Sequence, residues 1–343
     1  MPRSSLTAPQ YAGTFGSLRQ LQNLFDAGME PGEEKYDDTC CRTTCGCFRL
    51  RQMNWKDAYG RPGGAFAILP KKLFLLIRLA LFVVWLATNA YAVYQLVTVY
   101  NFPMRYYLTK LTSWSALLLL AYLAFALYST FMAQCSSLKD GKGPDTPCFV
   151  SITWYLQTTN LVIQPMVTLM YFALVHEWGV ERGPGAGDGD VVRYSFVITV
   201  VGHGLNTVLI VADLLLSRNR LVLTHFVHAL LFAAAYLIFT VAYFAAGGTN
   251  EDGQPYIYPA LDWRGFGRSA VLDDCPVGMP YCNALTTRVV ATLLILIGVP
   301  MMSLVCFCTY LVRRGVRRRL EESKFLAAAR NTPPEPKPAV QSV

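Results

Sequence analysis

Charged residues are scarce in this chain: they make up 15% of its 343 residues, whereas 53% are apolar. A water-soluble domain carries about 25% charged residues, so the composition argues against one. Long apolar runs account for the deficit, and six of them hold about 20 or more residues, enough for a helix to cross a hydrocarbon core about 30 Å thick. The six predicted spans are residues 73–99, 106–133, 149–175, 194–216, 221–246 and 287–312.

Glycine and proline are sparse within these runs. Because lipid cannot satisfy unpaired backbone groups, each run is expected to be helical. We therefore predict an all-α fold, a polytopic membrane helical bundle with six transmembrane helices. Residues 71–312 form the membrane domain, with a long outer loop at 247–285. We expect no cleavable signal peptide in the polar arm 1–70, which is predicted to be cytoplasmic and disordered. Residues 313–343 are predicted to be basic at first, with a disordered tail over 325–343.

The net charge of +8 is unevenly distributed and predicts the topology. Lys71, Lys72 and Arg78 flank the start of span one, and the segment after span six reads RRGVRRRLEESK. Acidic residues prevail in the loops after spans three and five. By the positive-inside rule both termini are cytoplasmic, in an endomembrane or the plasma membrane. Nucleic-acid binding is rejected, because the basic residues border apolar runs; membrane lipid is the expected partner.

The cysteines divide by their predicted compartment. Four lie in CCRTTCGC on the N-terminal arm, spaced too tightly for a standard zinc site, and are either palmitoylation sites or free thiols. Cys275 and Cys282 lie in the outer loop, where either a disulfide or two free thiols fits the sequence. Cys306 and Cys308 are predicted to be core or lipid-facing residues. The glycines of 182–190 lack the lysine of a phosphate-binding loop, and we expect no cofactor.

A single histidine, His203, lies near the middle of span four. An ionisable side chain at that depth is costly and commonly marks a site. Spacings of three and four place Asn206 and Thr207 on its helical face, with Asp213 offset towards the cytoplasm. A neutral buried imidazole can act as a base. The alternative is that these residues only hydrogen-bond between helices, as buried Asn, Thr and Gln commonly do.

Two further groups of polar residues lie in the apolar runs. In span two, Thr109, Thr112 and Ser115 are predicted to share one helical face. In span five, His225 and His228 share a face near the inner leaflet. A structural role is favoured for these histidines; a zinc site combining them with Asp213 is the weaker alternative, because two histidines and one aspartate are a sparse ligand set.

Four motifs carry a resemblance to a known family. They are HGLNTVLIVADLLL at 203–216, LTHFVHALLFAAAYLIFTVAYFAAGGT at 223–249, YIYPALDW at 256–263 and YLT at 107–109, followed by Trp114. With this order and spacing the chain resembles rolling stone, an insect family of multi-pass proteins associated with myoblast fusion. The resemblance covers about residues 70–312 and leaves out both arms.

Rolling stone is in turn distantly similar to the androgen-induced membrane hydrolases, which cleave fatty acid esters of hydroxy fatty acids with an intramembrane threonine and histidine. That similarity implies Thr109 as nucleophile and His203 as base, with Asn206 as support; Asn206 stands where the hydrolases have a second histidine. Thr112 is the rival nucleophile, since it lies one turn deeper and nearer to the level of His203.

Two functions from different classes follow. One is a threonine-dependent hydrolase of lipid esters, in which His203 activates a threonine hydroxyl. The other is a non-catalytic membrane protein of cell adhesion, fusion or scaffolding, whose outer loop and tails bind partners. A transporter or channel is disfavoured, because the spans offer neither paired broken helices nor a ring of charges.

Overall fold

Seven α-helices make up most of the regular structure in the described part of the chain. The computed structural model describes residues 55–63, 66–99, 101–135, 146–172, 201–219, 221–251, 253–258, 261–263, 289 and 293–331. The helices are α1 Trp55–Gly60, α2 Lys71–Thr98, α3 Leu111–Cys135, α4 Cys148–Met170, α5 Gly202–Leu216, α6 Phe226–Ala245 and α7 Val299–Asn331. Short 3₁₀ turns precede α3 and α6, and a π turn precedes α7. The predicted all-α fold is confirmed.

Among the described residues, four segments are long and apolar enough to cross a membrane: α2, α3, α6 and the stretch Leu296–Arg313, which includes the first half of α7. Helix α4 has 23 residues but a more polar composition, and α5 is an apolar helix of 15 residues. The protein is therefore a multi-pass membrane protein. The count of six spans and the cytoplasmic position of both termini stay predictions.

Helix α4 is the central helix of the bundle, in contact with α3, α5, α6 and α7. Its consecutive residues 156–164 are all buried, including the polar side chains Gln157, Asn160 and Gln164. Because this helix faces protein rather than lipid on most of its surface, polar side chains are retained where neighbouring helices supply hydrogen-bond partners. Helix α2 is the opposite case, with Leu76 and Tyr94 more than half exposed, as a peripheral lipid-facing helix requires.

A proline inside α4 accounts for one unusual hydrogen bond. Pro165 has no backbone N–H, so the carbonyl of Leu161, four residues earlier, loses its helical donor. The buried Cys306 thiol of α7 donates a hydrogen bond to that carbonyl at a distance of 2.9 Å. Cys306 is thus a core residue, whereas Cys308 is exposed on the outside of the bundle, as predicted.

The end of the bundle predicted to face the cytoplasm is covered by α1. Trp55 and Tyr59 are buried, and α1 packs against Val150 and Phe149 at the start of α4. The Arg218 guanidinium contacts the Asp57 carboxylate at 2.6 Å. Residues 55–60 are thus helical and packed on the bundle although they precede the predicted start of the membrane domain at residue 71, because their aromatic side chains cover an apolar surface.

Hydrogen bonds to backbone carbonyls connect several segments at the same end of the bundle. Gln134, at the end of α3, donates to the carbonyls of Gly60 and Lys71 at 3.0 and 2.8 Å. The Gly63 amide donates to the Leu216 carbonyl at 2.7 Å, and a Cβ at Gly63 would lie 2.5 Å from the Ser217 carbonyl oxygen. Only glycine permits this approach without a shift of the backbone.

Helix α7 continues to Asn331, beyond the predicted start of the disordered tail at residue 325. The sequence there is rich in Ala, Leu, Glu, Lys and Arg, which favour helix, until Pro333 and Pro334 follow. The four cysteines of the N-terminal arm lie outside the described residues. Most of the outer loop, including Cys275 and Cys282, also lies outside them.

Candidate functional site

Thr109 lies in a 3₁₀ turn, Met104–Thr109, and not in the helix that follows. Pro103 precedes the turn, and Lys110 has an extended backbone (ψ 136°) that separates it from α3. The expected common helical face of Thr109 with Thr112 and Ser115 is therefore wrong. The buried Thr109 hydroxyl donates to the Tyr106 carbonyl at 2.7 Å, and its carbonyl accepts a hydrogen bond from the Tyr236 hydroxyl at 2.9 Å.

The YIYPALDW segment packs against the same turn. The Tyr258 hydroxyl accepts a hydrogen bond from the Leu111 amide at 3.1 Å. The Lys110 ammonium lies 2.8 and 2.9 Å from the two Glu251 carboxylate oxygens and 5.4 Å from the centre of the Tyr258 ring. Burial raises the pKa of the Tyr258 hydroxyl to about 12, while hydrogen bonds from Leu111 and Thr112 lower it in part. We call Thr109, Lys110, Tyr236, Glu251 and Tyr258 the outer cluster.

His203 lies in the first turn of α5 and is half-buried. Its ring is stacked on Tyr171, with the ring centres 3.4 Å apart and the planes 8° from parallel. Its carbonyl oxygen lies 2.6 Å from the hydroxyl of Thr168 on α4. Among the described residues, no hydrogen bond links His203 to Thr109 or Thr112.

Asn206 belongs to a hydrogen-bonded chain that crosses three helices. Its amide donates to the Gln164 side-chain oxygen at 2.9 Å, and its own side-chain oxygen lies 3.1 Å from the Thr168 hydroxyl. Gln164 in turn donates to the Ser115 carbonyl of α3 at 2.8 Å. Thr207 also contacts the Thr168 hydroxyl, at 2.8 Å. Thr168 of α4 therefore contacts the backbone of His203 and the side chains of Asn206 and Thr207.

Asp213 forms a buried ion pair with Arg78. Arg78 Nε lies 3.2 Å from Asp213 Oδ1, and the two side chains are 2% and 0% exposed. Arg78 also donates to the Ala126 carbonyl at 3.0 Å and to the Thr130 hydroxyl at 2.8 Å, and the Tyr122 hydroxyl donates to Asp213 Oδ2. Arg78 is therefore not a flanking cation of span one, as its position suggested, but an interior residue.

His225 and His228 lie beside each other at the N-terminal end of α6, with ring centres 5.4 Å apart. Their rings meet Trp154 and Tyr155 edge-on, at 5.3 and 4.9 Å between centres. In the described part of the chain, no three His, Cys, Asp or Glu side chains are placed to hold a metal ion. Since Asp213 is engaged with Arg78, the weak zinc alternative lacks its third ligand.

Arg78 was predicted at the edge of span one, and Thr168 and Tyr236 are among the residues of these networks that the sequence did not single out. Arg78 stands seven residues inside an apolar helix and Asp213 stands alone in another, which together are a signal for an interior ion pair. Thr168 follows Gln164 by four residues, on the same helical face. Tyr236 carries no signal in the sequence, because a tyrosine in an apolar helix is equally common at the lipid interface.

Comparison with known sequences gives the family. A sequence model of the family described as protein rolling stone matches residues 46–280. This chain belongs to the rolling stone family. Protein rolling stone of Drosophila melanogaster is 29% identical over 133 residues, which cover 39% of this chain and 45% of the fly protein. The match thus spans less than half of the fly protein's length. No solved structure matches this rolling stone family member.

Proposed function

We propose that this member of the rolling stone family is a non-catalytic membrane protein that acts in cell adhesion, fusion or scaffolding. The observation that carries the proposal is the separate engagement of the two candidate catalytic side chains. The Thr109 hydroxyl donates to a backbone carbonyl at 2.7 Å, whereas His203 is stacked on Tyr171. A threonine is a poor nucleophile unless a base accepts its proton, and here that proton is directed to the Tyr106 carbonyl.

In this proposal the polar side chains stabilise the arrangement of helices. The chain from Ser115 through Gln164 and Asn206 to Thr168 joins α3, α4 and α5. In the outer cluster, Glu251 and Tyr258 of the predicted outer loop contact Lys110 and Leu111 at the start of α3. A loop fixed at its base in this way is suited to present a binding surface, since less ordering entropy is lost on binding.

A cell-association assay tests the proposal. Two cell populations with different fluorescent labels express the protein at matched surface amounts, and mixed aggregates or fused cells are counted. We expect more of them than with an empty vector, and fewer with K110Q, which removes the ion pair to Glu251. L117A is the matched control on α3, because Leu117 is 48% exposed on the outside of the bundle. Wild-type cells that associate no more than empty-vector cells would contradict the proposal.

The second candidate, a threonine-dependent hydrolase of lipid esters, is favoured by one observation. Thr109, the nucleophile that the resemblance implies, lies two residues before Leu111, whose amide donates to the Tyr258 hydroxyl of the YIYP segment, so the two motifs lie side by side. A serine- and threonine-reactive fluorophosphonate probe separates the two candidates. If the wild-type protein is labelled and T109A or T112A is not, the hydrolase is supported. If the wild-type protein and both variants are labelled equally, the non-catalytic role is supported.

A further inference from the structure

Helix α7 extends well beyond its apolar segment. Its apolar segment ends at Arg313, whereas the helix continues to Asn331. The 18 residues from 314 to 331 rise about 27 Å at 1.5 Å per residue. The first turns of this extension must therefore pass through the lipid headgroup layer, which is about 5–8 Å deep on each side of the hydrocarbon core.

Arg313 marks the level at which this layer begins. Its guanidinium donates to the carbonyls of Leu214 and Ser217 at 2.5 and 2.7 Å, and to that of Asn219 at 2.8 Å. These contacts tie α7 to the C-terminal end of α5. Since the apolar residues of α5 stop at Leu216, two helices reach the edge of the hydrocarbon core at the same level.

The charges after Arg313 are sorted along the helix. Residues 314–319 hold four arginines and no acidic residue, and they rise about 9 Å, close to the depth of the headgroup layer. The first acidic residues, Glu321 and Glu322, follow beyond that depth. Lys71 and Lys72, at the start of α2, are exposed at the same end of the bundle. The six residues that follow the apolar segment of α7 therefore carry four positive charges at the level expected for phospholipid phosphates.

We propose that residues 314–319 form a binding site for anionic phospholipids in the leaflet at this end of the bundle. The guanidinium group is planar and binds phosphate through two parallel hydrogen bonds, which gives arginine an advantage over lysine at such a site. Each basic residue near an anionic membrane surface strengthens the binding of anionic lipid, and the fold-changes from several residues multiply. The inference goes beyond the proposed function and holds for either candidate.

Lipid titration of the full-length protein in detergent tests the site. Dioleoylphosphatidylserine, a phosphatidylinositol bisphosphate and, as the neutral lipid, dioleoylphosphatidylcholine are added, and the thermal unfolding midpoint gives the apparent dissociation constants. We expect both anionic lipids to raise the midpoint and phosphatidylcholine to leave it unchanged. The gain should shrink between about 50 mM and about 500 mM salt, since screening weakens exposed charges. Water-soluble glycerophosphoserine, which lacks the acyl chains, is expected to have little effect.

The charge pair R317Q/R318Q should weaken binding of the anionic lipids about 30-fold, from the contribution of two arginines at a membrane surface. The matched control K324Q/R330Q removes the same charge from α7 beyond the headgroup layer and should change binding less than about twofold. A second pair, R314Q/R319Q, tests the same site if the first does not fold. Equal binding of neutral and anionic lipids, or an equal loss in the control, would overturn the proposal.

Discussion

Arg78 and Asp213 are the two opposite charges that α2 and α5 bring together in the interior of the bundle. Removing a charge from water costs several kcal/mol, and mutual attraction compensates only when the remaining hydrogen-bonding atoms also find partners. Here Thr130, the Ala126 carbonyl and Tyr122 supply them. The pair is therefore expected to fix the register of α2, a peripheral helix that has few other buried side chains.

Replacing Asp213 by Asn should leave the Arg78 charge buried without its partner, at a cost of about 3–5 kcal/mol in unfolding free energy. Unfolding in mixed micelles with rising denaturing detergent measures the change. The double variant R78M/D213L should recover most of the loss, because both charges are then absent. R61Q is the surface control: Arg61 and Asp57 are 3.7 Å apart with exposed side chains, and the pair is worth less than about 1 kcal/mol. Similar losses for D213N and R61Q would contradict the account.

At the scale of the helix, the contact between α4 and α7 depends on an interruption in α4. Pro165 leaves the Leu161 carbonyl without its helical donor, and the Cys306 thiol replaces that donor from the neighbouring helix. A carbonyl left unpaired in the interior is costly, so the proline and the cysteine should be energetically coupled.

A double-mutant cycle tests this coupling. C306A should lower the unfolding free energy by about 1 kcal/mol in the natural sequence, because the carbonyl then has no donor. In a P165A background the backbone N–H that the substitution restores can donate to Leu161, so the loss of the thiol should cost clearly less. An equal cost in both backgrounds would show that the thiol acts only by packing.

The lipid-facing helices were the most predictable elements of the fold. Span one was predicted at 73–99 and is found at Lys71–Thr98, and span five at 221–246 is found at Phe226–Ala245. These helices present apolar residues around most of their circumference, so their extent follows from composition. The 3₁₀ turn at Thr109 did not follow, because the break depends on the backbone at Lys110 and on packing of Tyr258 against it.

At the scale of the whole molecule, contacts between distant residues depend on how the helices are arranged and could not be predicted from the sequence. Arg78 and Asp213 are 135 positions apart, and no local pattern joins them. The grouping of His203 with Asn206 and Thr207 was predictable, since residues three and four apart share a helical face. Whether Thr109 meets His203 depended instead on where α3 begins and on how α3 and α5 are placed around α4.

The most direct test of the proposed non-catalytic role is the turnover of a fluorogenic fatty acid ester by the purified protein in lipid nanodiscs. Wild type, T109A and H203A are compared at equal protein concentration with empty nanodiscs, after folding of each is verified by its unfolding midpoint. The account predicts that all three release fatty acid at the rate of the empty nanodiscs. Wild-type turnover above that rate, lost in both T109A and H203A, would contradict it and establish the threonine and histidine as catalytic residues.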